Sequence, residues 1–228
     1  KNTPYVGRSA FAHKAGMHAD AVAKNASAYE LLNPELVGNE RTFLMSEVAG
    51  RSAVISMAKK IEPSLTKDSP EAKLIIEKLK EMEHEGYQYE GAESSFELII
   101  RKILGKYHPS FELRDFKVIV NEPAQANERN SSAMIKVRVG DQEEITAAEG
   151  DGPVNALDNA ARKALSRFYP SIHEMKLTDF KVRVLDSTSA TAAKVRVLIE
   201  STDGEEVWTT IGVSTDIIEA SWKALVDS

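Results

Sequence analysis

The sequence contains no cysteine. That excludes a disulfide framework, a thiolate metal site and a cysteine nucleophile, and it fits a reducing, cytoplasmic setting. It has no run of about 18 apolar residues to span a bilayer and no basic-then-apolar leader pattern, so no membrane partner is expected. Concentrated positive charge is missing too: 35 acidic side chains face 29 basic ones, the formal net charge is −6, and no basic tract occurs. Such a surface offers a polyanion no electrostatic foothold, so nucleic acid is not an expected partner. Nor is there an initiating methionine; "KNTPYVGRSAFAHK" reads like the interior of a loop in something longer. What is present is material for a core: 42% of the 228 residues are hydrophobic, enough for one large or two modest domains.

Along the chain the texture changes twice. Residues 1–61 begin rich in Ala, Gly and Asn with weak periodicity, and loops and short helices are expected there, including one from Met17 to Lys24. "SEVAGRSAVISMAKKIEP" reads as a helix that stops by Glu62, because Pro63 disfavours the α conformation in the residue before it. Residues 62–110 read as a helical hairpin. Its first helix has Ser69 as cap, Pro70 at the first position, Ile75, Leu79 and Met82 on one face, and Gly86 beyond its end. The second starts near Glu93, aligns Phe96, Ile99, Ile100 and Ile103, and ends before Gly105 and Pro109.

From residue 111 the period switches from 3.6 to 2 and back, twice. "FELRDFKVIV", "SSAMIKVRV" and "EEITAAEG" precede the helical "PVNALDNAARKALSRFY". The order then recurs as "MKLTDFKVRV", "AAKVRVLIE", "EEVWTTIG" and "STDIIEASWKALVDS". Leu113 to Val118 aligns with Leu177 to Val182, and Lys163-Ala164-Leu165 with Lys223-Ala224-Leu225, so 111–170 and 175–228 form an internal repeat. Each copy is a βββα unit whose sheet needs a helix on one face. The expected fold class is α+β: a helical linker region followed by a pseudo-twofold tandem βββα domain over 111–228.

Glycine stands between the third strand and the helix in both copies, as Gly150-Asp151-Gly152-Pro153-Val154 and as Gly212-Val213-Ser214. Glycine admits another backbone or a ligand at close range, and a helix N-terminus presents unpaired N–H groups that favour an anion. A plain turn with Pro at the helix start accounts for Gly-Asp-Gly-Pro equally well.

The stretch "FAHKAGMHADAV" holds His13, His18 and Asp20. On a helix of 3.6 residues per turn these side chains diverge, and no third ligand has a recognisable spacing, so no metal site is expected in this chain. No serine nucleophile motif accompanies them. His84, His108 and His173 carry no functional signal.

"GRSAFAHKAGMHADAVAKNASAYELLNPELVGNER" resembles the segment that follows the catalytic barrel in the 2-isopropylmalate, homocitrate and citramalate synthase family. "EGDGPVNALDNAARKAL" and "VWTTIGVSTDIIEASWKAL" resemble that family's C-terminal regulatory and dimerisation domain, closest in wording to its citramalate synthase branch. The family's (β/α)8 barrel is absent, since no strand-helix series of about 250 residues fits here.

The resemblance implies a regulatory fragment of an acyltransferase that condenses acetyl-CoA with a 2-oxo acid, pyruvate in the citramalate branch. Such a fragment is inactive alone, needs no cofactor in this chain, and leaves the divalent metal to the absent barrel. It further implies a homodimer that binds a branched-chain amino acid for feedback: isoleucine, or leucine in the isopropylmalate branch. His18, Tyr29 and Asn25 match residues near the reacting centre, where a histidine serves proton transfer and a tyrosine hydroxyl donates or relays. His13 matches no residue with a role. Effector contacts are expected at Gly150, Asp151, Gly152, Pro153, Val154, Gly212, Val213 and Ser214, with Leu157 and Ile217 as further apolar candidates. An independent amino-acid-sensing module is the alternative.

Overall fold

The computed structural model describes residues 3–7, 10–13, 21–22, 25, 30–43, 51–89, 91–121 and 129–228. The chain divides into two compact units, residues 1–105 and 106–228. No described helix is long and apolar enough to cross a membrane.

In the first unit β1 (Ala12–His13) pairs in parallel with β2 (Thr42–Phe43). Between them a 3-10 turn over Pro34–Val37 is opened by Asn33, whose side chain accepts from the Glu35 N–H, and is closed by Gly38. Three helices follow: α1 (Arg51–Ile61), α2 (Pro70–Glu85) and α3 (Glu93–Ile103). They end where the sequence expects, α1 before Pro63 and α2 at Gly86, whose φ of 109° suits only glycine. Ser69 departs from expectation in detail. It stands at the N-cap position of α2, but its hydroxyl donates back to the Thr66 carbonyl instead of accepting from the helix. α2 and α3 pack together, and α1 packs on both, closing a core that includes Ala58, Ile75, Phe96 and Ile100. The expected helix at Met17–Lys24 lies mostly outside the described residues; Ala21 and Val22 within it are helical.

In the second unit β3 (Glu112–Val120), β4 (Ser131–Val139) and β5 (Gln142–Gly150) form an antiparallel meander, followed by α4 (Pro153–Leu165). The pattern repeats as β6 (Lys176–Val184), β7 (Val195–Thr202), β8 (Val207–Ser214) and α5 (Ile217–Asp227). Even the irregularities repeat: the register shifts between Leu113 and Asp115 in β3, and between Leu177 and Asp179 in β6.

Each helix packs over the second and third strands of its own sheet. In the first repeat, Ala133, Ile135 and Val137 of β4 point at Ala156, Leu157, Ala160 and Ala164 of α4. The alanine-rich face allows helix and sheet to approach closely. Full burial of a side chain such as Ile135 or Leu157 contributes about 1.5–3 kcal/mol.

The repeats are not independent. α4 and α5 pack against each other, and Trp222 of α5 enters the core of the first repeat. Its ring lies 6.2 Å from that of Phe111 and 5.8 Å from that of Phe116. The matching position in α4 is Arg162, whose guanidinium bonds Asp158 and the carbonyls of Ile172 and Met175. Burial pushes the Asp158 carboxyl up, with Arg162 opposing.

Candidate functional site

In the first unit, strand pairing sets His13 on β1 beside the chain that enters β2 at Arg41, and Glu30 lies between them. Glu30 Oε1 accepts from His13 Nε2 at 2.8 Å and from Arg41 Nε at 2.7 Å; Oε2 accepts from Arg41 Nη2 at 2.6 Å. The carboxylate is only 5% exposed. Arg41, hydrogen-bonded to it, together with the His13 hydrogen bond holds the Glu30 carboxyl down to about 2 against the opposing effect of burial. An ionised carboxylate only accepts, so the His13 proton in this bond sits on Nε2.

Beside the network opens a pocket of about 420 Å³, lined by Tyr5, Phe11, His13, Glu30, Leu31 and Leu32 among others. No local pattern in the sequence marks His13, Glu30 or Arg41. The three are widely separated in the chain and share no spacing rule.

Linkage gives this network a pH signature. The folded carboxyl lies below its ordinary 4.5, so its stabilisation is fully present above pH 4.5 and is lost as pH falls through about 2. Glu30→Gln is expected to cost about 1.5–3 kcal/mol at neutral pH, the scale for hydrogen bonds to charged groups. Amide exchange at the β1–β2 pair should show that deficit shrinking as the pH falls below 4.5. A deficit of the same size at pH 3 would contradict the assignment.

The residues to which the resemblance lends catalytic roles are mostly out of view: His18 and Tyr29 lie outside the described residues. Asn25 is exposed, and its N–H donates to the Ala21 carbonyl at 2.8 Å. Glu30 follows Tyr29 directly, so the anchored carboxylate adjoins that position in sequence. Among the described residues no group of three or more His, Cys, Asp or Glu side chains is placed to hold a metal ion.

The two glycine junctions of the second unit differ from each other. Gly150 closes β5, and a Cβ there would stand 2.3 Å from the Ala156 nitrogen; on Gly212 in β8 it would stand 2.0 Å from the Ala220 carbonyl oxygen. At both, the group in close approach is helix backbone. Gly152 is different: a Cβ there meets nothing within 4 Å, and its φ of −166° is ordinary extended backbone.

At α4, Gly152 caps without a side chain, Pro153 follows, and the Asp151 N–H donates to Asn155 Oδ1 at 3.1 Å. The Asp151 carboxylate is 86% exposed, 3.6 Å from Arg129 Nε, and Val154 is half-buried. At α5 the helix supplies its own anion: Asp216 Oδ1 accepts from the N–H groups of Ile218 at 2.7 Å and Glu219 at 3.3 Å. Ser214 donates to Glu219 at 2.6 Å. Val213 is buried, and Leu157 belongs to the core. An incoming carboxylate therefore competes with Asp216 at α5 and with no side-chain cap at α4.

Residues 90–228 match the family model described as LeuA allosteric (dimerisation) domain, and residues 5–87 match the one described as homocitrate synthase post-HMGL domain-like. Over 228 residues the chain is 49% identical to the (R)-citramalate synthase of Aquifex aeolicus (strain VF5) and 49% identical to that of Geobacter sulfurreducens. Identity to the Synechocystis sp. enzyme of the same name is 48% over 99% of the chain. The matched region is the C-terminal part of those proteins, and the chain spans 43%, 43% and 42% of their lengths.

Proposed function

The chain belongs to the LeuA allosteric (dimerisation) domain family, and from that membership we propose that it is the linker and feedback-regulatory part of a citramalate-synthase-type acyltransferase. The observation that carries this reading is the succession of two matches, linker then regulatory domain, along a chain similar throughout to (R)-citramalate synthases. The complete enzyme would condense acetyl-CoA with pyruvate. This part would pair two copies and bind isoleucine, and by itself would turn nothing over.

Of the two junctions, the α4 N-terminus suits the effector better. Its uncapped first-turn N–H groups fit an amino-acid carboxylate, and exposed Asp151 fits the ammonium group. Val154 at the same end offers an apolar contact. The α5 terminus is already satisfied by Asp216.

In the linker, His18 would serve proton transfer and Tyr29 and Asn25 would assist the same chemistry; the Glu30 network would anchor the chain at the residue that follows Tyr29 in sequence. The divalent metal belongs with the barrel, and no step is derived through it. Effector binding that shifts the linker equilibrium by 1–3 kcal/mol suffices for roughly 5- to 150-fold inhibition.

Calorimetric titration with L-isoleucine and L-leucine tests this. Saturable binding that favours isoleucine is expected, weakened about tenfold or more by Gly152→Val or Asp151→Lys, a loss of about 1.4 kcal/mol. Gly152 has open space around it, so its replacement leaves the fold intact. A preference for leucine would move the chain to the isopropylmalate branch. Absence of binding by either amino acid would remove the effector reading.

A further inference from the structure

The two sheets treat equivalent residues differently. Phe116 and Val118 of β3 match Phe180 and Val182 of β6. Phe116 pairs with Ile135 and Val118 with Ala133, and both pack into the first core, where Trp222 from the other repeat closes over Phe116. In the second repeat Phe180 pairs with Ile199, Val182 with Val197 and Val184 with Val195.

Directly opposed residues share a sheet face. Val197 and Ile199 are buried beneath Ala220 and Ala224 of α5, so the three β6 residues continue that same face. They are nonetheless 41%, 41% and 53% exposed. α5 packs over β7 and β8. The side chain that would correspond to Trp222 is Arg162, engaged with Asp158 and the Met175 carbonyl. An indole covers Phe116 in one repeat, and a guanidinium turned to other partners leaves Phe180 open in the other; at the end of the strip Val184 and its counterpart Val120 are both exposed.

We propose that the strip Phe180–Val182–Val184 is the centre of a twofold contact between two copies of this chain. The inference deepens the proposed pairing and rests on it: this unit is the one matched by a dimerisation-domain model. A contact on a twofold axis uses the same patch on both partners, and an apolar strip at the sheet edge is complementary to itself.

The contact is through the face, not by strand pairing along the edge. Lys181 and Arg183 alternate with the strip and are exposed. Antiparallel edge pairing centred on Val182 would set Lys181 of one copy against Arg183 of the other, where like charges repel. A stable interface buries about 800 Å² per partner, so the strip is its apolar middle, ringed by polar surface.

Ile145, comparably exposed on the first sheet, makes a poorer centre. Ile145 lies opposite Lys136, which pairs with Glu143 at 2.7 Å, so that face is well solvated.

Sedimentation velocity of the chain over a dilution series, with circular dichroism as the check on folding, tests the surface. Val182→Lys and, independently, Phe180→Ser are expected to raise the dimer dissociation constant about 100-fold, the effect of losing a central anchor. Ile145→Lys should leave it unchanged. A dimer untouched by both β6 variants, or equally weakened by Ile145→Lys, would overturn the surface while leaving pairing itself intact. A wild-type chain that stays monomeric at every concentration would overturn pairing along with it.

Discussion

Gly212→Ala is expected to unfold the second repeat under conditions where the wild-type chain is stable. The added methyl would stand 2.0 Å from the Ala220 carbonyl oxygen and 2.9 Å from the Ala224 nitrogen, both atoms of helix backbone. A rotamer change cannot relieve a clash with main chain, so α5 must lift from β8. That exposes the Val197 and Ile199 core and strains the bond from Thr210 Oγ1 to the Ala224 carbonyl, now 2.7 Å long. Overpacking typically costs about 1–3 kcal/mol and occasionally more, and a clash with main chain this close belongs at the upper end, a large part of the roughly 5–15 kcal/mol that holds a domain together.

Gly150→Ala should behave similarly, since its methyl would meet the Ala156 nitrogen at 2.3 Å. Gly152→Ala, two residues on, should change stability by no more than about 0.5 kcal/mol. Urea denaturation of the three variants checks the ordering. A Gly212→Ala protein as stable as wild type would mean that α5 does not rest on β8 as described.

Trp222→Ala is expected to cost about 3–5 kcal/mol, and its effect should not stay in the repeat that carries it. The indole is 7% exposed and sits among residues of the first repeat, against Phe111 and Phe116. Its removal leaves a cavity in that core and weakens the link between repeats. Amide exchange should accelerate in β3 and β4 as well as in α5. Acceleration confined to β7, β8 and α5 would show that the two repeats unfold separately. Trp222→Phe should recover part of the loss, because a smaller ring still fills the space between Phe111 and Phe116.

Much of the fold was legible beforehand because the signals behind it are short-range. Alternation in "SSAMIKVRV", the Ser69-Pro70 start and Gly86 end of α2, and the recurrence of Leu-x-Asp-Phe-Lys-Val each involve neighbours within a few turns or one strand. The repeated bulge at Leu113 and Leu177 shows that the recurrence reaches into backbone irregularities as well.

The candidate sites were legible only in part. "DGP" before a helix marks a helix start in any fold, and whether an anion can use that start depends on whether a cap such as Asp216 already fills it. His13, Glu30 and Arg41 gave no joint signal. Their meeting depends on a parallel pairing of two short strands with some thirty residues of chain between them.

The sequence by itself determined the order of helices and strands from α1 onward, the duplication, the ends of α1 and α2 and the family, because each is written in local pattern and in residue identity; the β1–β2 pair, where only loops and short helices were expected, it did not. Only the tertiary structure decided which glycines admit a helix, that Glu30 joins His13 to Arg41, and that Trp222 closes one repeat while β6 of the other stays open. The physical reason is that these facts depend on distances of a few ångströms between segments far apart in the chain. Close packing and charge pairing fix such distances three-dimensionally, and no spacing rule along one dimension encodes them.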